Sequence, residues 1–344
     1  MNEQNDVPKL LRGHRVLIVV GICLLLTVFL FWNETRDSEI SFADISWTST
    51  SVFFLVVALI MMAFRDIAYM VRIRALTDYA LSWRQSFNVI MIWEFASALS
   101  PGIVGGSTVA MFILKGEKIP LGRSTAIVII TAVMDNLFYI IALPLLFLFI
   151  SAQQLFPPDL SWIEEGGLII FWIGYSAMLG VTALLFVSVF FYPKILAALI
   201  KVIFKLPFLN RRKYRGLKIA LDIHTASVEF KGKSLSFWLN IFAITVWSWT
   251  SRFMVINLML MAFIELGLGD HFVILGRQLV MWLVLIIPST PGGSGLAELL
   301  FSNFLSDFIL NGMMALSLAF LWRILSYYPY LVIGSIIYPR WMRR

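Results

Sequence analysis

The chain has 344 residues, of which 60% are hydrophobic and only 14% carry a charged side chain, with a mean hydropathy of +0.87. Soluble domains are roughly 45–50% apolar and about 25% charged, so this composition leaves too little polar surface to cover a water-exposed globule. A soluble enzyme, a secreted disulfide module and a disordered protein are therefore excluded. The composition predicts a polytopic all-α membrane protein, in a single integral membrane domain over residues 1–344.

Eight apolar blocks follow one another along the chain, and at least six are long enough to span about 30 Å of hydrocarbon as helices. The blocks are residues 16–32, 47–71, 85–114, 124–151, 167–192, 235–264, 272–310 and 312–338. The first block has no small-residue cleavage site after it, so we expect a retained helix and not a signal peptide.

The charged residues between these blocks predict the orientation. Of the 27 Lys and Arg residues, 22 lie in five clusters: the N-terminus, residues 72–84, 115–123 and 193–233, and the C-terminal tail. The other loops are acidic. By the positive-inside rule both termini are expected in the cytoplasm, and the net charge of +7 reflects basic loops and not a nucleic-acid partner.

Two blocks contain helix-breaking residues near their middle. Block 85–114 carries Pro101, Gly105 and Gly106, and block 272–310 carries a Pro/Gly-rich run from Pro288 to Gly295. Broken backbone at membrane depth is tolerated only where protein or a polar cavity satisfies it. The charge pattern favours two re-entrant helical hairpins, one from each face, that meet near the midplane. Two full spans with ordinary kinks are the alternative.

This interpretation predicts an inverted repeat. The order span, hairpin, span over residues 47–151 recurs over residues 235–338 with opposite orientation, and the long basic loop 193–233 lies between the two copies. Inverted repeats with broken helices place transporter sites at the repeat interface.

Eight charged residues remain inside apolar blocks and form the core of the predicted site. They are Arg65, Asp66, Glu94, Asp135, Arg252, Arg277, Glu298 and Arg323. A charge at the bilayer centre costs roughly 2.5–3.5 kcal/mol on insertion scales, so these residues must pair or line a wet path. Fixed ion pairs between helices are one interpretation. The other is a central cavity in which Arg holds a phosphate and a carboxylate relays protons or binds an amine.

The hairpin tips are predicted to complete the site. Helices beginning at Gly106-Ser107 and at Gly295-Leu296 would direct unpaired N–H groups at an anion. Tight packing of the two tips is the simpler explanation of their glycines, and the two explanations are compatible. The residues assigned to the path here are Pro101, Gly105, Gly106, Ser107, Thr290, Pro291, Gly292, Gly293 and Gly295.

Two segments resemble a known family. Residues 289–298 (STPGGSGLAE) resemble the proline–double-glycine–glycine–glutamate signature of the lysylphosphatidylglycerol synthetase/flippase transmembrane family, and residues 100–107 (SPGIVGGS) resemble its first-half counterpart. The resemblance implies a stand-alone transport module without the aminoacyl-transfer domain. It also implies a phospholipid, or a polyprenyl- or hopanoid-linked lipid, as partner and the bacterial inner membrane as location.

The predicted function is therefore a flippase that moves a charged-headgroup lipid or lipid-linked intermediate between leaflets. A secondary carrier of a small ion or solute, with Glu94 and Asp135 as coupling sites, is an alternative. A membrane-embedded lipid-modifying enzyme is disfavoured because no HExxH, Cys/His pair or GxSxG is present. No catalytic residue, metal or cofactor is expected, and a homodimer is left open.

Overall fold

A computed structural model gives the structure of most of the chain. It describes residues 47–100, 103–156, 168–192, 227–285, 295–309 and 312–343, together with residues 21, 25, 29, 32 and 293. Over these residues the regular structure is helical and no strand occurs. Residues 193–226 of the long basic loop lie outside the described residues, as do most of block 16–32 and both chain ends.

The helices, numbered in chain order, follow the apolar blocks. Their bounds are α1 Ser49–Leu76, α2 Trp83–Leu99, α3 Ile103–Gly116, α4 Leu121–Phe147, α5 Ala152–Leu155, α6 Leu168–Phe190, α7 Leu235–Met261, α8 Leu268–Val284, α9 Leu296–Phe304, α10 Gly312–Ser326 and α11 Tyr328–Met342. In the described residues five stretches are long and apolar enough to cross a membrane: α1, α4, most of α6, α7, and α10 with α11.

The first predicted helix break falls where the sequence places it. Helix α2 ends at Leu99, and Ser100 is extended with φ −94° and ψ 137°. A residue before proline is pushed into this region because the proline ring clashes with a helical backbone. The chain becomes helical again at Ile103, while Pro101 and Gly102 lie outside the described residues.

The second break separates α8, which ends at Val284, from α9, which begins at Leu296. Residues 286–292 and 294 lie outside the described residues, so Thr290, Pro291 and Gly292 of the predicted site do as well. Helix α9 is only nine residues long and is followed by a 3-10 turn, Ser306–Phe308. Neither α8 nor α9 therefore forms a full span by its own length.

Helix α3 begins earlier than predicted. Its first residue is Ile103, so Gly106 lies inside the helix and its N–H is not at the terminus. A Cβ atom at Gly106 would collide with the side chain and backbone of Ser97 on α2. The expectation of a free N-terminus at Gly106-Ser107 is therefore wrong, and Gly106 instead permits the close approach of α2 and α3.

The last predicted span, block 312–338, is two helices. They meet at Tyr327, whose backbone (φ −126°, ψ −57°) departs from the helical values, and Pro329 lies in the first turn of α11. Proline fits the first turn of a helix, where its missing N–H would have no partner, but it clashes with a preceding helical turn. Tyr327 and Tyr330, on either side of this proline, are both buried.

Helix α4 also contains a proline, Pro144, and continues through it. Proline cannot donate to the carbonyl four residues earlier, which here belongs to Ile140. The hydroxyl of Tyr175 on α6 donates to that carbonyl at 3.0 Å. A side chain from a neighbouring helix thus replaces the missing backbone donor.

The two long helices α1 and α7 pack against each other along much of their length, and α2 packs between α3 and α11. Large side chains such as Phe95, Phe253 and Phe301 fill the interior. The outer faces of α1, α6 and α11 instead expose large apolar side chains, among them Phe53 and Ile173. Such a surface suits contact with lipid and not with water.

Candidate functional site

A cavity of about 340 Å³ lies among α2, α3, α4, α7, α8, α10 and α11. Its volume falls within the range of roughly 300–1,000 Å³ that is typical of small-molecule sites. Four charged side chains line it: Glu94, Asp135, Arg252 and Arg323. Its aromatic lining residues are Trp93, Trp249, Trp282, Trp322, Tyr139, Tyr327 and Tyr330.

A smaller cavity of about 90 Å³ shares part of this wall. Trp93, Glu94, Thr131 and Asp135 line both cavities, and Tyr69 and Arg72 line the smaller one alone. The Thr131 hydroxyl is buried and has no hydrogen-bond partner among the described residues. Because buried polar groups are nearly always satisfied, this hydroxyl indicates an additional polar partner, such as water.

Arg65 is the centre of an ionic network of three side chains. Its side chain is 1% exposed, and its guanidinium contacts Asp66 at 3.1 Å and Glu94 at 2.7 Å. It also donates to the Tyr330 hydroxyl at 2.7 Å, and that hydroxyl donates to Asp66 at 2.8 Å. One guanidinium thus holds two carboxylates and ties α1 to α2 and α11.

Asp135 on α4 pairs with Arg72 on α1. The two guanidinium N–H groups of Arg72 donate to the two carboxylate oxygens at 2.5 and 3.3 Å, which is a bidentate arrangement. Trp249 on α7 donates to the same carboxylate at 3.0 Å. The sequence interpretation assigned Arg72 to a cytoplasmic basic cluster, and this is wrong because Arg72 is 4% exposed in the interior.

The spacing of α1 contains a signal that sequence reasoning missed. Arg65, Tyr69 and Arg72 are four and three residues apart, so they lie on one helix face. Both guanidiniums lie over the Tyr69 ring, at 4.7 and 4.9 Å from its centroid. This i, i+4, i+7 pattern distinguishes Arg72 from the loop residues that follow it.

Arg252 differs from the other intramembrane arginines. Within the described residues it forms no ion pair, and its guanidinium lies over Trp282 at 4.4 Å and over Trp249 at 5.5 Å. It lines the cavity, as Glu94 does. A cation held by stacking keeps its N–H donors available for an anionic group.

Glu298 and Arg323 form a pair at 3.0 Å, with 1% and 6% of their side chains exposed. The second oxygen of Glu298 accepts the N–H of Gly295 at 2.8 Å, at the start of α9. The predicted helix end at Gly295-Leu296 is therefore present, but a carboxylate of the protein itself occupies part of it. Gly293 and Gly295 have φ of +67° and +84°, which explains glycine at these two positions.

Arg277 lies away from the cavity. It contacts Asp307 at 2.6 Å and donates to the carbonyls of Gln154 and Phe304, so it joins α8 to α5 and to the end of α9. Of the interpretations offered for the buried charges, this geometry favours a fixed structural pair for Arg277.

The predicted residues thus separate into groups. The main cavity is lined by Glu94, Ser107, Asp135, Arg252, Gly293 and Arg323. Arg65 and Glu298 do not line it but pair with Glu94 and Arg323, which do. Asp66 does not line it either and pairs with Arg65. Gly105 lies in α3, and Pro101 lies outside the described residues. Within the described residues no group of three His, Cys, Asp or Glu side chains is arranged to hold a metal ion.

These features define an all-helical, multi-pass membrane protein with a charged, aromatic-lined internal cavity. The model of the family described as "Lysylphosphatidylglycerol synthase TM region" matches residues 15–334. The chain therefore belongs to this family. It is also 22% identical over 325 residues to a protein named "UPF0104 membrane protein" from Archaeoglobus fulgidus, covering 92% of this chain and 95% of that protein. The family resemblance inferred from residues 100–107 and 289–298 is confirmed.

Proposed function

We propose that the protein is a flippase-like transporter that moves a lipid with a charged headgroup between leaflets and carries out no chemical conversion. The observation that carries the proposal is Arg252, which faces a headgroup-sized cavity without a carboxylate partner among the described residues. Membership of a lysylphosphatidylglycerol synthase transmembrane family supports a lipid as the substrate.

We propose that the membrane domain is an inverted repeat, with residues 47–151 and 235–338 as its two copies. The packing of α1 on α7 and the helix breaks after Leu99 and Val284 support it, because related elements then lie on either side of one cavity. The two broken segments would act as re-entrant hairpins, and rocking of the copies would expose the cavity to each leaflet in turn.

Transport would use the cavity surface as follows. Arg252 would hold the phosphate with its N–H donors, and the tryptophans would contact the less polar part of the headgroup. The acyl chains would stay in the bilayer beside the apolar outer faces. We place the protein in the bacterial inner membrane with both termini cytoplasmic, with a membrane phospholipid or a polyprenyl- or hopanoid-linked lipid as its partner.

The test is leaflet exchange in proteoliposomes that contain fluorescent phosphatidylglycerol, measured by quenching of the outer-leaflet probe. Wild-type protein should accelerate exchange, and Arg252→Gln should lower the rate about tenfold or more because the headgroup loses a charge-assisted contact. Arg84→Gln is the control, since it removes an exposed arginine outside the cavity. Absence of exchange for phosphatidylglycerol and for a polyprenyl phosphate, with folded wild-type protein, would contradict the proposal.

A further inference from the structure

The network around Arg65 contains more negative than positive charges. With both carboxylates ionised, Arg65, Asp66 and Glu94 together carry a charge of −1, because one guanidinium serves two acids. The other two buried arginines near the cavity already have carboxylates of their own: Arg72 pairs with Asp135 and Arg323 with Glu298. Each of these two pairs is neutral overall.

Arg252 is the cation that compensates the extra negative charge. It lines the main cavity together with Glu94, and within the described residues it has no carboxylate bound to it. The ionised state of the two acids therefore depends on a guanidinium that faces the cavity. An anion bound to Arg252 would cancel this stabilisation, because like charges nearby disfavour the ionised form.

Water in the two cavities can reach Glu94. The side chains of Asp66 and Glu94 are 19% and 23% exposed, in contrast to 1% for Arg65. Glu94 lines both cavities, and the smaller one has room for several water molecules. The buried Thr131 hydroxyl, which lines it, has no partner among the described residues and could bind a water molecule there.

We propose that Glu94 and Asp66, held by Arg65, form a proton-binding site that takes up one proton when an anionic headgroup occupies Arg252. The proton comes from bulk water through the smaller cavity and forms an O–H bond on one carboxylate oxygen, so the charge of the network changes from −1 to 0. Departure of the anion restores the effect of Arg252 and releases the proton. The identity of the anion as a lipid headgroup rests on the proposed function.

The coupling is reciprocal, because two ligands that affect each other's binding do so equally. Protonation should therefore strengthen anion binding, and a proton gradient would drive the lipid with it. The ionisable groups that face the pair come from several helices: Arg65, Tyr69 and Arg72 from α1, Asp135 and Tyr139 from α4, Arg252 from α7, Arg323 from α10, and Tyr327 and Tyr330 at the start of α11.

The experiment is an infrared pH titration of the whole protein in phosphatidylcholine nanodiscs, from about pH 5 to about pH 9. The C=O band of a protonated carboxyl group should develop as the pH falls and should be lost in Glu94→Gln with Asp66→Asn. Saturating dihexanoyl phosphatidylglycerol should raise its midpoint by about one pH unit, as expected for a charge several ångströms away.

Arg252→Gln keeps the test decisive if the carboxylate variants do not fold, since it disrupts no ion pair of the described residues. It should raise the midpoint without added lipid and abolish the shift caused by dihexanoyl phosphatidylglycerol. Glu117→Gln, which changes a carboxylate in the loop after α3, should leave the band unchanged. Two results would overturn the inference. One is a wild-type C=O band that persists when Glu94 and Asp66 are substituted. The other is a titration midpoint that neither dihexanoyl phosphatidylglycerol nor Arg252→Gln moves.

The two proposals fail in different ways. Leaflet exchange without a titrating carboxyl group contradicts the proton site alone. A titrating carboxyl group that responds to Arg252→Gln and to the anion, in a protein that exchanges no lipid, supports the site and contradicts the transport function.

Discussion

At the scale of single residues, the buried arginines have different tasks although their sequence contexts look alike. Arg277 and Arg323 are held by carboxylates and join helices, whereas Arg252 lies on tryptophan rings at the cavity wall. Sequence alone identified eight charges inside the apolar blocks but missed Arg72, which is buried as well. It could not assign their partners, because partners such as Glu94 for Arg65 come from distant helices.

The pair Glu298–Arg323 should contribute strongly to stability. Glu298→Ala leaves Arg323 buried without its carboxylate and removes the acceptor for the Gly295 N–H, so a loss of about 3–5 kcal/mol is expected. In a separate comparison, the double variant Glu298→Gln with Arg323→Gln should lose less stability than the sum of the losses for Glu298→Gln alone and for Arg323→Gln alone. Thermal unfolding in detergent measures this coupling, and strictly additive effects would show that the pair is not a unit.

Tyr175→Phe tests the hydroxyl that replaces the donor missing at Pro144. The substitution keeps the ring but leaves the Ile140 carbonyl without its side-chain donor, and we expect a loss of about 1 kcal/mol. Tyr192→Phe, at an exposed tyrosine after the end of α6, is the control. Equal thermal stability of the two variants would contradict the role given to Tyr175.

At the scale of elements, close helix packing depends on a few glycines. A Cβ atom at Gly334 of α11 would collide with the side chain of Phe95 on α2, whereas Gly174 and Gly180 on α6 have no atom within 4 Å of such a Cβ. Gly334→Ala should therefore cost about 1–3 kcal/mol through overpacking. Gly174→Ala should be neutral or slightly stabilising in the same unfolding assay, because alanine favours helix. Similar effects at both positions would contradict this packing.

Helix boundaries show where sequence reasoning was strong and where it was limited. The breaks after Leu99 and Val284 were predicted from Pro and Gly, whose backbone effects are local. The start of α3 and the division at Tyr327 were missed. An apolar run does not record where its neighbours force the chain to turn, but Pro329 in block 312–338 was a local signal for the boundary at Tyr327 that the sequence analysis did not use.

At the scale of the whole molecule, an exposed ionic cluster connects the first proposed repeat to the segment just before α7. Asp78, in the turn between α1 and α2, contacts Arg123 at 2.7 Å and Lys233 at 2.5 Å. Partial burial raises the pKa of Asp78, but the hydrogen bonds from Lys233 and Arg123 outweigh it and hold the pKa below its ordinary value of 3.8. The backbone at Asp78 has φ of +51°, which asparagine also adopts readily.

Because the pKa of Asp78 is lowered by folding, its contribution to stability is complete above pH 3.8 and is lost as the pH falls below that value. The contribution is at most about 1 kcal/mol, since exposed ion pairs are screened. Asp78→Asn should remove this pH dependence and should reduce the effect of added salt on thermal stability. An unchanged salt response would contradict the role given to the cluster.

The central claim is that the cavity at Arg252 holds the headgroup of a lipid. The most direct measurement is a structure of the protein determined in nanodiscs of native lipid, with density examined in the cavity beside Arg252. The account predicts a headgroup whose phosphate contacts the Arg252 guanidinium, with acyl chains that continue into the bilayer. A cavity that contains only water, or a solute without acyl chains, would contradict it.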